Sequence, residues 1–324
     1  MAKCLVTGGA GFIGSHLVDG LIEKGHQVRV FDNLSAGKKE NLSHLKSKID
    51  FVLGDLRNRE ALEKACRGID YVFHAAALRA VLRSVDDPSE TNDVNVTGTL
   101  NLLLAAREKA VKRVIFSSSS SIYGETEKFP SQETDLPKPE SPYAASKIMG
   151  EYYCAIFASL YDLETVSLRY FNVFGPRQNP ESKYSAVIPI FIESLLKGMS
   201  PEIHWDGQQK RDFHYVDSVV YANLSAMSVK NVSGQVFNIG SSKEYSILQV
   251  FENLKRILNI KDIEPIFKPK REGDVRRTLA DTSKAKRLLD FKIQTRFETG
   301  LENTVKWFLK SEAFSTRHFN RIKI

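Results

Sequence analysis

The sequence predicts a doubly wound α/β fold, a parallel sheet covered on both faces by helices, followed by a smaller mixed α/β unit. Three observations predict it. Short β-branched and aromatic runs alternate with amphipathic stretches through the first half, a glycine-rich turn follows the first run, and the second run ends on an acid, Asp32. Runs that are apolar throughout suit strands buried on both faces, which is the condition of a parallel sheet.

Cys4-Leu5-Val6 reads as the first strand and residues 14–24 as the first helix. Further strands are expected at 27–31, 51–53, 71–73, 114–116 and 165–168. Residues 97–109 place Leu100, Leu103, Leu104 and Ala106 near helical spacing. Beyond residue 168 the pattern breaks, with Asn172, Gly175, Pro176, Asn179 and Pro180 marking a long loop. The expected division is a first domain over 1–174, to which later segments can return, a second unit mainly over 175–310, and a basic tail over 311–324. The second unit is expected to hold helices at 186–197, 248–258 and 298–310 and a strand at 235–239, while 224–229 fits no element by pattern.

With 42% hydrophobic and 26% charged positions in 324 residues, the composition excludes disordered and fibrous classes. Cys4, Cys66 and Cys154 lie far apart, and no C-x-x-C or H-E-x-x-H motif occurs, so neither a disulfide framework nor a zinc site is expected. Residues 1–6 run directly into a strand, leaving no room for a signal peptide, and no apolar run is long enough to span a bilayer. A cytoplasmic protein is expected. The formal charge of +7 admits an anionic ligand or nucleic acid without choosing between them.

Thr7-Gly8-Gly9-Ala10-Gly11-Phe12-Ile13-Gly14-Ser15 sits between a strand and a helix, where glycines allow a tight turn and backbone N–H groups approach a pyrophosphate at the positive helix end. Asp32, closing the next strand, would accept hydrogen bonds from an adenosine ribose and repel a 2′-phosphate, which favours NAD over NADP. Lys38 and Lys39 stand nearby as cations for the extra phosphate, or as a solvated loop face. Asp55, with Leu56 beside it, is read either as facing the adenine edge or as a helix cap before residues 57–65. Ala75, Ala76 and Ala77 would give the cofactor room.

Tyr143 and Lys147 are four residues apart behind Pro142, so they share one helical face. A phenol with a pKa near 10 is a poor base unless a nearby cation stabilises its phenolate, and Lys147 can supply that charge. The serine run 117–121 follows the fifth strand, at the carboxyl end of the sheet, and offers a hydroxyl that local chemistry alone does not single out.

Together these residues resemble the extended short-chain dehydrogenase/reductase family, with a Rossmann-type sheet, over the chain to about residue 310. Counted back from Tyr123-Gly124, the residue matching the family's catalytic Ser or Thr is Ser119. Phe31-Asp32-Asn33-Leu34-Ser35 and Tyr170-Phe171-Asn172-Val173-Phe174-Gly175 are similar to the UDP-sugar 4-epimerase branch, which implies bound NAD reduced and reoxidised within one turnover. The dehydratase and decarboxylase branches carry acids where this chain has Ser120 and Ser121. The resemblance implies Ser119, Tyr143 and Lys147 as the catalytic set, with Gly8, Gly11, Phe12, Ile13, Gly14, Asp32, Asn33, Asp55, Leu56, Ala75, Ala76, Asn95 and Tyr170 around the cofactor. It implies Arg211 and Arg271 for the two phosphates of UDP, Asp274 for a ribose hydroxyl, and Asn172 and Arg79 near diphosphate and sugar. Arginine's planar fork suits phosphate, although Arg211 also reads as a surface ion pair with Asp212.

Thr278 matches the gatekeeper beside the sugar's C2 substituent, and its small size implies that N-acetyl sugars are accepted. The family also implies a homodimer, joined through residues 97–109 and 142–161 as a four-helix bundle, with no membrane or nucleic-acid partner. Three other readings are an epimerase of UDP-glucuronate or a deoxy sugar, a non-catalytic NAD sensor, and nucleic-acid binding through the basic cluster 268–277. Intact Tyr143, Lys147 and Ser119 argue against the sensor, and sparse aromatic residues among the basic ones against nucleic acid.

Overall fold

The computed structural model describes residues 1–79, 81–180, 186–270 and 274–310; Arg271 and the basic tail 311–324 lie outside the described residues. The first half alternates strand and helix: β1 (Lys3–Thr7), α1 (Phe12–Glu23), β2 (Gln27–Asp32), β3 (Ile49–Leu53), α2 (Arg59–Cys66) and β4 (Tyr71–His74). The short helices α3 (Val81–Asp86) and α4 (Pro88–Asn92) lead through a π-helical turn, Asp93–Thr97, into α5 (Gly98–Glu108). Next come β5 (Arg113–Ser119), a 3₁₀ turn at Ser120–Tyr123, α6 (Pro142–Leu160) and β6 (Glu164–Tyr170).

The second half contains β7 (Asn172–Phe174), α7 (Val187–Leu196), β8 (Glu202–His204), β9 (Lys210–Arg211), β10 (Phe213–Tyr215), α8 (Val216–Ser228) and β11 (Gln235–Ile239). It closes with β12 (Tyr245–Ser246), α9 (Ile247–Ile257), β13 (Ile266–Lys268), α10 (Ser283–Leu289) and α11 (Phe297–Lys310).

Strands β3-β2-β1-β4-β5-β6-β11 form one seven-stranded sheet, parallel at every pairing. β1 lies between β2 and β4, so the chain leaves it towards one edge and later returns to the other. The crevice outside the strand ends at that reversal is where such sheets bind ligands. Leu17, Val18 and Leu21 of α1 pack one sheet face together with Val219, Ala222 and Ala226 of α8. Leu62, Leu102, Ala106, Cys154 and Phe157 from α2, α5 and α6 pack the other.

Two expectations change. The strand at 235–239, placed by chain order in the second unit, is β11 and pairs with β6 along its whole length. Residues 224–228, unassigned from the sequence, complete α8, whose buried Val219, Ala222, Asn223 and Ala226 follow helical spacing. Small residues and a buried asparagine weaken the apolar signal that would have marked this helix. The remaining second-half elements form a separate core in which Phe191 meets Phe251 edge-on at 6.0 Å and Tyr245 stacks on Phe297 at 3.9 Å. Three two-stranded ribbons accompany this core, β7 with β10, β8 with β13 and β9 with β12, the first of them directly following β6.

Candidate active site

The turn after β1 needs glycine for steric reasons. Gly8 has φ +69°, and a Cβ there would come within 2.7 Å of the Ala76 backbone; a Cβ on Gly14 would run into the Gly8 carbonyl oxygen. Gly11, the N-cap of α1, has no side chain with which to satisfy the helix's first N–H groups. Those donors border a cavity of about 1520 Å³ whose wall includes Gly8, Gly11, Phe12, Ile13, Gly14 and Asp32. Asp32 does more than face the cavity: Oδ2 accepts from Ala10 N–H at 2.9 Å and Oδ1 from Leu34 N–H at 2.8 Å, which pins the glycine turn to the end of β2. Burial pushes its pKa up against those hydrogen bonds.

Asn33, Asp55, Leu56, Ala75, Ala76 and Tyr170 also reach the cavity. Asp55 is not a helix cap, because Asn58 caps α2 by accepting from Ala61 N–H. Asp55 instead takes two side-chain hydrogen bonds from Arg57 and one from Asn33, and the Arg57 bonds hold it well below the usual carboxylate range. Asn95 is turned away from the cavity and grips Leu78 through both N–H and carbonyl at 2.8 and 3.0 Å, with Ser146 at 3.1 Å. Its place in the π-helical turn fixes the loop that carries Arg79. Lys39 lies over the Phe51 ring at 5.4 Å.

Pro142 starts α6 as the sequence predicts, and Ser141 caps it, the serine Oγ accepting from Ala144 N–H at 3.2 Å. Tyr143 and Lys147 both line the cavity from this helix. The nearby Ser119 hydroxyl and the charge of Arg79 favour the Tyr143 phenolate, but desolvation outweighs them and raises its pKa. Lys147 Nζ donates to the Ser117 carbonyl at 2.9 Å and stands 5.7 Å from the Tyr143 ring centre. Burial lowers the Lys147 pKa to about 8. The arrangement therefore holds a phenol, a hydroxyl and a cation at one end of a dinucleotide-sized cleft.

A second group of candidates gathers beside it. The Thr278 hydroxyl donates to Asn172 Oδ1 at 3.0 Å and accepts from Asp212 N–H at 3.3 Å. Arg211 pairs with Asp274 rather than with Asp212. Asn172, Arg211, Asp274 and Thr278 thus form one arm, outside the walls of the main cavity.

The sequence matches the model of the NAD dependent epimerase/dehydratase family over residues 4–240. The chain belongs to this family. NAD is its cofactor, and the open helix terminus, the glycine turn and the Asp32 carboxylate fit a dinucleotide. A UDP-glucose 4-epimerase of Mycolicibacterium smegmatis is 40% identical over 311 residues, covering 94% of this chain and 98% of the relative. The Thermotoga maritima UDP-glucose 4-epimerase, solved with UDP-glucose, superposes with TM-score 0.91 at 44% identity, covering 95% of this chain and 99% of that one. A UDP-N-acetylglucosamine 4-epimerase of Methanobrevibacter ruminantium M1, solved with UDP-N-acetylmuramic acid, gives TM-score 0.91 at 42% identity, covering 95% and 98%.

In this family member, sequence reasoning missed the layer behind the site. Glu151 accepts from Ser118 Oγ at 2.5 Å and from Arg169. Tyr170 accepts from Asn223 at 2.8 Å and lies 3.3 Å from Ser117 Oγ. Glu151 sits eight residues after Tyr143, on the same helical face, so its spacing was a usable signal. Among the described residues no helix is long and apolar enough to cross a membrane.

Proposed function

We propose that this NAD-dependent nucleotide-sugar 4-epimerase interconverts the gluco and galacto forms of UDP-hexoses, N-acetylated ones included, through a 4-keto sugar. The observation that carries the reading is Tyr143, half-buried on the cavity wall, with Ser119 beside it and Lys147 one helical turn away. When bound, NAD supplies reversible hydride acceptance. Tyr143 takes the proton from the sugar's C4 hydroxyl and later returns it to the same oxygen. Ser119 donates to the phenol oxygen as charge develops there, and the Lys147 ammonium lowers the cost of that charge. Ser120 and Ser121 stand where water elimination or decarboxylation would need acids, and Ser121 Oγ instead donates to Ser119 Oγ at 2.9 Å.

Arg211, Arg271 and Asp274 hold the UDP portion in this reading, with Asn172 and Arg79 nearer the sugar. Thr278 leaves space for a C2 N-acetyl group. The enzyme acts as a homodimer: Met149, Tyr152, Ile156 and Leu160 form an exposed apolar stripe along α6, at the spacing of one helical face. Incubation with UDP-glucose and with UDP-N-acetylglucosamine, followed by the anomeric proton signals, tests the function. Both galacto products are expected, and a Thr278→Tyr variant should lose the N-acetyl reaction while keeping the other. Conversion of neither sugar with NAD supplied contradicts the reading.

A further inference from the structure

Asp212 is fully buried, yet the four donors on its carboxylate are all neutral. Oδ1 accepts from Ser241 N–H at 2.7 Å and from Ser241 Oγ at 2.6 Å. Oδ2 accepts from the N–H groups of Ser242 and Ala280, both at 3.0 Å. Its own main chain completes the junction, with the carbonyl accepting from Asn172 N–H at 3.0 Å and the N–H donating to Thr278 Oγ1 at 3.3 Å. The neighbouring cation, Arg211, turns away to Asp274. Four chain segments therefore meet at one residue, the 240–242 loop and Ala280 at its side chain and the start of β7 and Thr278 at its main chain, with the join of β9 and β10 carrying it.

Two of those segments leave the main sheet at its carboxyl edge, since β7 follows β6 and the 240–242 loop follows β11. Phe171 N–H bonds to the Ile239 carbonyl at 3.0 Å, so the two exits are already joined there. The other two segments carry Arg211 and Thr278. Burying a carboxylate without a cation is costly, and burial pushes the Asp212 pKa up to about 6 despite its hydrogen bonds. A neutral side chain would fill this space without that penalty, but it could not draw four donors from two separate loops onto two oxygen atoms.

We propose that Asp212 is the positioning residue of the substrate arm: its carboxylate holds Asn172, Arg211 and Thr278 in register with the cofactor sheet and so sets sugar-nucleotide affinity. The inference rests on the UDP-sugar reading above. Asp212 itself touches neither the cavity nor the reacting atoms. Its loss is therefore expected to change substrate binding and to leave the cofactor cradle alone.

The experiment compares wild type, Asp212→Asn and Ser241→Ala with UDP-glucose, measuring KM, kcat and NAD bound per purified chain. The expected result for Asp212→Asn is a KM raised about tenfold or more, with kcat changed by less than about threefold and NAD content unchanged. Ser241→Ala removes one donor from the edge of the cluster and should raise KM by about threefold in a folded protein, so the proposal is tested even if Asp212→Asn does not fold. An unchanged KM in folded Ser241→Ala overturns the proposal, as does a fall in kcat and NAD content equal to the change in KM. A wild-type enzyme inactive on UDP-hexoses would instead overturn the function from which the proposal starts.

Discussion

The Glu151 carboxylate, one helical turn beyond Lys147, takes two hydrogen bonds from Arg169, at 2.9 and 2.8 Å, with both side chains almost entirely out of water. The pair joins α6 to β6 behind the active site. Through Ser118, Glu151 also holds the end of β5, where Ser119 stands. Arg169 reaches onward to the Tyr123 hydroxyl, which donates to Asn238 at the edge strand β11. One charged pair thus fixes three strands and the helix that bears Tyr143.

Removing one partner of such a pair leaves the other charge buried and alone. Glu151→Gln is expected to lower unfolding free energy by about 3–5 kcal/mol. Replacing both residues by apolar ones of similar volume should recover most of that loss while activity stays low, because Ser118 then lacks its acceptor. Denaturant unfolding of the single and double variants, alongside turnover, checks both halves of this expectation.

The charge on Lys147 predicts an alkaline limit to activity. Burial lowers its pKa from 10.5 to about 8, so the ammonium is present at pH 7 and is lost as pH rises through 8. His74, whose pKa burial lowers to about 3, is neutral throughout this range, while Glu151 and Cys154 face the ammonium from its own helix. The rate should therefore fall above about pH 8. Lys147→Arg, slower because its fork does not reproduce the contact to Ser117, should not show that fall. The linkage sign is the reverse for stability. Between pH 8 and 10.5 the unfolded chain binds the proton that the native chain has released, so this group's penalty on the native state is full below pH 8 and is relieved as pH rises across that window.

On the proposed reading, Asp32 makes cofactor choice a matter of one carboxylate. Asp32→Asn keeps the shape and an acceptor for Ala10 N–H, but removes the charge that repels a 2′-phosphate. Binding of NADP should improve relative to NAD by a factor of about ten, corresponding to about 1.4 kcal/mol. Fluorescence titration with both reduced cofactors measures the ratio, and an unchanged ratio would place the discrimination elsewhere, with Lys38 and Lys39 the next residues to test.

The apolar stripe on α6 predicts a dimer that one charge can break. Ile156 is 42% exposed and lies between Tyr152 and Leu160 on the same face. Ile156→Arg should convert the protein to a monomer by light scattering at micromolar concentration. A wild-type protein that is already monomeric there would remove the four-helix bundle from the account.

The parts of this molecule legible in the sequence are those in which local chemistry and tertiary role coincide. The glycine turn, the acid closing β2 and the Pro142 helix start each carry their own physical reason, and the structure puts the first between β1 and α1, the second at the end of β2 and the third in the first turn of α6. β11 was misplaced because a parallel strand finds its partner by a crossover, which chain order does not encode. Asp55 reads as a cap or as a ligand because both uses need a carboxylate before a helix, and only the position of Asn58 separates them. Asn95 matches a residue near the cofactor by family resemblance alone, but its hydrogen bonds run to Leu78 and Ser146. Glu151 and Arg169 are not singled out, and Asp212 reads as a surface partner of Arg211, because a buried charge in a sequence looks like any other charge. Their partners lie 18 to 68 residues away.

The central claim is that C4 is oxidised and then reduced within one turnover, with Tyr143 carrying the oxygen's proton and the C4 hydrogen never entering solvent. UDP-glucose bearing deuterium at C4, incubated with the enzyme in ordinary water and followed by NMR, measures this directly. The account predicts UDP-galactose that retains deuterium at C4, formed by the wild type and slowed by a factor of about 10²–10⁴ in Tyr143→Phe. Product with solvent hydrogen at C4, or Tyr143→Phe turning over at the wild-type rate, would contradict it.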